Sequence, residues 1–192
     1  FPAFRSVMRE RRYKKTRKPH KVFLVVCEGE TEEEYVNLLK RHYRLPITIK
    51  TKVSGNAVSL RLVNQYLKEL GLTRNDDCQV FFIYDADVDC IVEKLMSLPG
   101  TTILSNPSIE LWYMLHSKNH RRYVQPDSIL KELMSCHPVW KAYMKGKLTM
   151  DQQLHLLANK DAASLKAEKM VWPTNPSSNI YEFIKVLEAE KR

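Results

Sequence analysis

Three acidic stretches carry the residue types that could do chemistry. The first is VCEGETEEEY, Val26 to Tyr35, with five glutamates in seven residues directly after the apolar run Val22-Phe23-Leu24-Val25-Val26. In the second, YDADVD, Asp85, Asp87 and Asp89 follow the apolar run Val80 to Tyr84. The third, SNPSIELWYMLHS, contains Glu110. Carboxylates this close repel one another, raise each other's proton affinity and are best relieved by a divalent cation. Hard oxygen ligands favour magnesium, with manganese as its substitute, and an ion with few protein ligands keeps waters and takes substrate phosphate oxygens.

The glutamates separate by position. Thr31 with Glu34 three residues on reads as a capping box, and Glu32 and Glu33 in the first helical turn oppose the positive end of the helix dipole. Helix-start electrostatics therefore account for Glu33 and Glu34. Glu28 stands at the carboxyl end of a strand, where open α/β sheets place their ligand sites. Glu30 and Glu32 stay open between the two readings. If the strand before Asp85 remains extended for two more residues, the period of two puts Asp85 and Asp87 on one side; the alternative is an acidic loop that caps the next helix. Glu110 is either a further ligand or a first-turn acid of a helix capped by Asn106 with Pro107 in its opening turn.

The elements that must position these acids follow from periodicity. Lys21 to Cys27 reads as a buried strand, Thr31 to about Tyr43 as a helix, Ile47 to Val53 as a strand, and Val58 to Leu70 as a helical stripe stopped by Gly71. Val80 to Tyr84 is the central-strand candidate. A helix around Ile91 to Leu98, the strand TTILS and the helix after Pro107 complete the alternation, which implies a mainly parallel sheet between helices. Trp112 and Leu115 read as core. Beyond Tyr123 only helices are expected, over Lys131 to Met134, Val139 to Met144, Met150 to Lys169 and Ile180 to Leu187. Asn175, Ser177 and Ser178 begin the last of these, by capping or by holding a phosphate.

Composition bounds the function classes. The 192 residues carry a formal net charge of +9, and nine basic residues with one acid between Phe1 and Lys21 supply +8 of it, leaving +1 for the rest. A basic arm on a near-neutral body is an arrangement for phosphate-backbone contact, with Arg9, Arg11, Arg12, Lys14, Lys15, Arg17 and Lys18 as candidate nucleic-acid contacts; a solubilising tail is the alternative. The four cysteines lie far apart without paired spacing, so a reducing cytoplasm is expected and neither a disulfide framework nor a zinc knuckle is. Apolar runs are too short to span a bilayer, and no signal-peptide pattern precedes the first strand. With five glycines a nucleotide-cradling loop is not expected, and no Ser-His-Asp order is readable. The chain thus divides into a basic arm over 1–20, an α/β core over 21–123 and a helical extension over 124–192 packed on that core.

Glu28-Gly29 after one strand and Asp85-x-Asp87 after a later one resemble the Toprim arrangement of primases, topoisomerases and overcoming-lysogenization-defect nucleases. The full set, CEGETEEEY, DAD, SNPSIELWYMLH and NPSSNIYEF behind a basic leader, closely resembles the RloB family of Toprim-like proteins of bacterial defence and restriction-associated loci, over about Arg11 to Leu187. The resemblance implies a Toprim-like, mainly parallel sheet sandwiched by helices, with magnesium at an acidic pocket. It implies Glu28 as general acid/base or metal ligand and Asp85 and Asp87 as metal ligands. It also implies a partner ATPase encoded alongside, in the manner of abortive-infection systems.

The expected activity is metal-dependent phosphodiester cleavage of DNA or RNA by Glu28, Asp85 and Asp87, with Asp89, Glu32 and Glu110 as further candidate ligands. A nucleic-acid-binding effector subunit of the same fold, weak or inactive in catalysis, is the alternative. An aspartyl phosphatase is disfavoured, because its Asp pair belongs to the first strand with a Ser or Thr soon after. A nucleotide-sugar transferase gains nothing from the basic arm.

Overall fold

A computed structural model describes residues 21–73, 76–87 and 89–191. Among them the strands are β1 (Lys21–Cys27), β2 (Thr48–Val53), β3 (Asp77–Asp85), β4 (Thr101–Asn106) and β5 (Ser177–Ser178). The helices are α1 (Glu30–Tyr43), α2 (Leu60–Glu69), α3 (Asp89–Met96), α4 (Ile109–Leu115), α5 (Ile129–Cys136), α6 (Met150–Ala167) and α7 (Ile180–Ala189). One sheet holds the strands in the order β2-β1-β3-β4-β5, with β1 to β4 parallel and β5 antiparallel to β4. The fold is α/β, with helices on both faces.

The apolar runs explain the layering. β1 and β3 are interior strands of a parallel sheet, so both their faces need apolar side chains. Phe23, Val25, Cys27, Phe81, Ile83 and Ile103 face the core shared with α1, α4 and α7, backed by α5 and α6. Leu24, Val26, Phe82, Tyr84 and Leu104 face the core shared with α2 and α3. β2 is an edge strand and is accordingly only half buried. The chain leaves β1 to reach β2 on one side and β3 on the other. The carboxyl ends of β1 and β3 therefore flank the point where strand order reverses, and helix connections there diverge to leave a crevice.

Several expectations change at the element ends. α4 begins at Ile109, after a cis Asn106–Pro107 peptide, with Ser108 rather than Asn106 at its cap. α1 begins one residue early, with Gly29 at its cap: the Glu32 carboxylate accepts the Gly29 N–H at 2.9 Å, so the back-contact expected of Glu34 is made by Glu32, and glycine has no side chain to complete the box expected from Thr31. The tail is not purely helical. Ser177 and Ser178 form β5 instead of starting α7, and the Asn179 side chain bridges β4 by accepting from Leu104 N–H and donating to Thr102 O. The expected helix over Val139 to Met144 shrinks to a single 3₁₀ turn, Pro138–Trp140, followed by a tight Met144–Lys147 bridge. Gly146 lies in the left-handed region of that hairpin at φ 76°, which glycine adopts without steric cost. Among the described residues no helix is long and apolar enough to cross a membrane.

Candidate acidic site at the carboxyl edge of the sheet

β1 delivers Glu28 to the crevice and β3 delivers Asp85. The Glu28 carboxylate accepts the Asp85 backbone N–H at 2.9 Å, while the Glu28 N–H continues the ladder to Ile83 O at 3.1 Å. Asp85 in turn accepts the Ile109 N–H at 2.9 Å, one of the donors left without an intrahelical partner at the start of α4. Each carboxylate is thus aimed by a backbone group of the neighbouring element. β3 ends at Asp85, so the extension that would align Asp87 beside it does not occur. Asp87 is exposed in the following bend and reaches the rim of a cleft of about 340 Å³ that Asp85, Pro107, Ser108, Asp127 and Lys145 also line.

Two more acids close the cluster from below. Glu32 is 4% exposed and Glu110 is 1% exposed. Glu110 accepts from the Ser108 hydroxyl at 2.6 Å and from the Tyr143 hydroxyl at 3.0 Å, and Lys145 Nζ stands 3.6 Å away. Glu110 is therefore more than a first-turn acid of α4. The Tyr143 and Lys145 side chains come from the hairpin after the 3₁₀ turn. That hairpin is pinned to α1 by Gly146 N–H donating to Thr31 Oγ1 at 3.0 Å, and a β-carbon at Gly146 would stand 3.3 Å from Glu30 Cβ.

The electrostatics are those of crowded, partly desolvated acids. Burial raises the Asp85 pKa well above the usual carboxylate range, and the charges of Glu32, Glu110 and Glu28 raise it further against the Ile109 N–H. Burial also pushes Glu32 up to about 7, opposed by backbone donors including Gly29 and reinforced by Glu28 and Glu110. Glu28 is raised mainly by burial; Asp87 adds to the shift, while the Asp85 N–H and Lys145 oppose it. All three hold protons more tightly than free carboxyls do.

Glu28, Glu32, Asp85 and Glu110 form one electrostatically connected set, with Asp87 at its rim. Glu33 and Glu34 point elsewhere, accepting from Thr51 and Arg41 respectively. Arg9, Arg11, Arg12, Lys14, Lys15, Arg17 and Lys18 lie outside the described residues, as does the side chain of Asp89. Among the described residues no three His, Cys, Asp or Glu side chains converge as a ready metal cage. The donor chemistry nonetheless fits a hard divalent ion. A carboxylate offers about four lone-pair sites, so one backbone N–H on each of Glu28 and Asp85 leaves capacity for an ion, and magnesium needs only one or two carboxylates when it keeps its waters.

Ser108, Tyr143 and Lys145 were not expected at this site. The two-residue spacing of Ser108 and Glu110 was a readable signal. Tyr143 and Lys145 had none, because only the tertiary fold brings their hairpin to α1 and α4.

The family model for RloB-like protein matches residues 23–187. The chain belongs to the RloB-like family. The match runs from β1 into α7 and takes in all four clustered acids, Asp87 and the hairpin that carries Lys145. No curated protein and no solved structure matches this RloB-like chain.

Proposed function

We propose that this RloB-like protein is a magnesium-dependent nuclease that cleaves phosphodiester bonds of DNA or RNA. It would act in the cytoplasm within a bacterial defence system of the abortive-infection kind, beside an ATPase encoded alongside. The observation that carries the reading is the seating of Glu28 on Asp85 N–H at the switch point of the sheet, beside an open cleft that Asp85 and Asp87 line. Glu28, Asp85 and Asp87 would hold the ion, with Glu32, Asp89 and Glu110 as further candidates and manganese as its substitute. When bound there, the ion supplies Lewis-acid polarisation of a phosphoryl oxygen and lowers the pKa of water.

The protein's own groups supply the rest. Glu28, with its proton affinity raised, is suited to accept a proton from an attacking water at the cleft, and Glu32, at about 7, can share that proton near neutral pH. Ile109 N–H fixes the Asp85 carboxylate, so its orientation is set before substrate arrives. Lys145, exposed at the rim, offers a positive charge to a phosphate entering the cleft.

Lys145 also supports the second reading, a nucleic-acid-binding effector without cleavage, because its ammonium already partly neutralises Glu110. A cleavage assay on DNA and RNA with magnesium, manganese or EDTA separates the two. Metal-dependent cleavage that is lost in Asp85→Asn, which keeps the acceptor for Ile109 N–H, is the expected result. A wild-type rate in Asp85→Asn would sink the site assignment.

A further inference from the structure

The acidic cleft has a basic neighbour. Arg121, Lys169, Thr174, Asn175 and Pro176 line a pocket of about 280 Å³ at the loops that flank β5. Two contacts make it a built feature rather than two long side chains meeting by chance. The Asn175 amide clamps the main chain of Val124, accepting its N–H at 3.0 Å and donating to its carbonyl at 2.8 Å. Asn106 donates to Pro173 O at 2.8 Å. The loop bearing Arg121 and the loop bearing Thr174 are therefore tied both to each other and to the end of β4.

The sheet register places this pocket relative to the acids. Asp85 pairs with Ser105 on β4, and Asn106 pairs with Ser177 on β5, one residue beyond Pro176. Two strand spacings separate the Asp85 backbone from the β5 backbone, next to which Pro176 forms one wall of the pocket, by about 10 Å. Along one nucleic-acid strand that is within about three phosphates, at roughly 3.4 Å of axis each.

The charge is unspent. Arg121 and Lys169 are exposed, and among the described residues neither stands in an ion pair. Two acids near them in sequence are engaged with other cations: Glu168 pairs with Lys185 at 2.7 Å, and Glu132 lies 4.0 Å from Lys118 and 3.8 Å from His120, while Asp127 lines the acidic cleft rather than this pocket.

The geometry points to a phosphate-binding site at Arg121 and Lys169 that grips a nucleic-acid strand a few nucleotides from the phosphate lying at Asp85. The inference rests on the nuclease reading and deepens it, since it gives the folded body a strand contact separate from the arm over 1–20. An acidic cleft repels polyanions, so a substrate phosphate can be held there only if cations nearby offset the repulsion.

The test uses the full chain carrying Glu28→Gln, so that substrate stays intact, with short fluorescein-labelled single-stranded DNA and RNA read by anisotropy across a salt series. Arg121→Gln with Lys169→Gln is compared with Arg61→Gln with Lys68→Gln, an equal loss of charge on exposed residues of α2. The pocket pair is expected to weaken binding about tenfold and to flatten the log–log salt slope by about 1.4, at roughly 0.7 per phosphate on single strands. The α2 pair should leave the slope near its starting value. Equal losses in both pairs, or an unchanged slope in the pocket pair, would overturn the inference. Cleavage by the wild-type chain is read separately: its absence removes the nuclease reading without altering the slope comparison, and its presence with equal slopes removes the pocket alone.

Discussion

The Glu28 carboxylate sits on the backbone N–H of Asp85 at 2.9 Å, so the acid that follows one interior strand is fastened to the last residue of the next. The contact orients Glu28 without neutralising it, because a neutral donor leaves the charge in place. Burial and the neighbouring acids then act on a carboxylate that cannot swing away to water.

Exchanging glutamates one at a time separates structure from chemistry. Glu28→Gln keeps an oxygen to accept the Asp85 N–H but removes the charge, so metal-dependent cleavage should disappear while the thermal midpoint holds or rises. Glu33→Gln, whose native partner is the Thr51 hydroxyl at 2.6 Å, should cost at most about 1 kcal/mol and leave cleavage and magnesium stabilisation intact. Thermal melts with and without magnesium, beside a cleavage assay, read both variants. The reverse pattern would mean that the wrong glutamate has been assigned.

The stability of the metal-free protein should fall as pH rises. Glu28, Glu32 and Asp85 all bind protons more tightly folded than unfolded. Their contribution is therefore complete below the unfolded carboxylate pKa of about 4 and is lost as pH climbs through the folded values, about 7 for Glu32. For Glu32 alone the loss is on the order of 3 kcal/mol, at about 1.36 kcal/mol per pKa unit. Urea unfolding in EDTA at pH 5.5 and at pH 8 reads the part lost above pH 5.5, about 2 kcal/mol. Magnesium should restore stability at pH 8 and do little at pH 5.5, since it competes with the same protons. A metal-free stability that is flat or rising over this interval would contradict the raised proton affinities.

Glu110 has two different supporters, and removing each should give opposite signatures. Tyr143→Phe takes a hydroxyl from a buried carboxylate and should destabilise the fold by about 1–3 kcal/mol. Lys145→Gln removes an exposed ammonium from the cleft; it should change stability by less than about 1 kcal/mol but strengthen magnesium binding several-fold, because the ion no longer competes with a resident positive charge. Chemical denaturation and calorimetric titration with magnesium check the pair. Weaker magnesium binding in Lys145→Gln would show that the ammonium does not oppose the ion.

Much of the architecture was legible in local pattern. Continuous apolar runs such as Phe23 to Cys27 and Val80 to Tyr84 can be satisfied only by strands buried on both faces, and an acid directly after such a run has to emerge at the strand's carboxyl end. Periodicity therefore located Glu28 and Asp85 at one edge of a parallel sheet, and the helical spacing of α1, α2 and α6 was readable for the same reason. Where local signals competed, the reading slipped. Thr31 has the chemistry and position of a capping residue, yet its hydroxyl accepts from Gly146, and the cap position falls to Gly29, whose N–H donates to Glu32. Ser177 and Ser178 looked like the start of a helix, yet they pair with Ser105 and Asn106 because β4 otherwise exposes an unpaired edge. The sequence by itself determined which acids end the central strands, because a residue's place along a strand is a matter of its immediate neighbours. Only the tertiary structure decided that Glu32, Glu110, Tyr143 and Lys145 join them, because a hairpin more than a hundred residues from Glu28 is brought there by helix packing, and no spacing along the chain records a contact closed through a shared core.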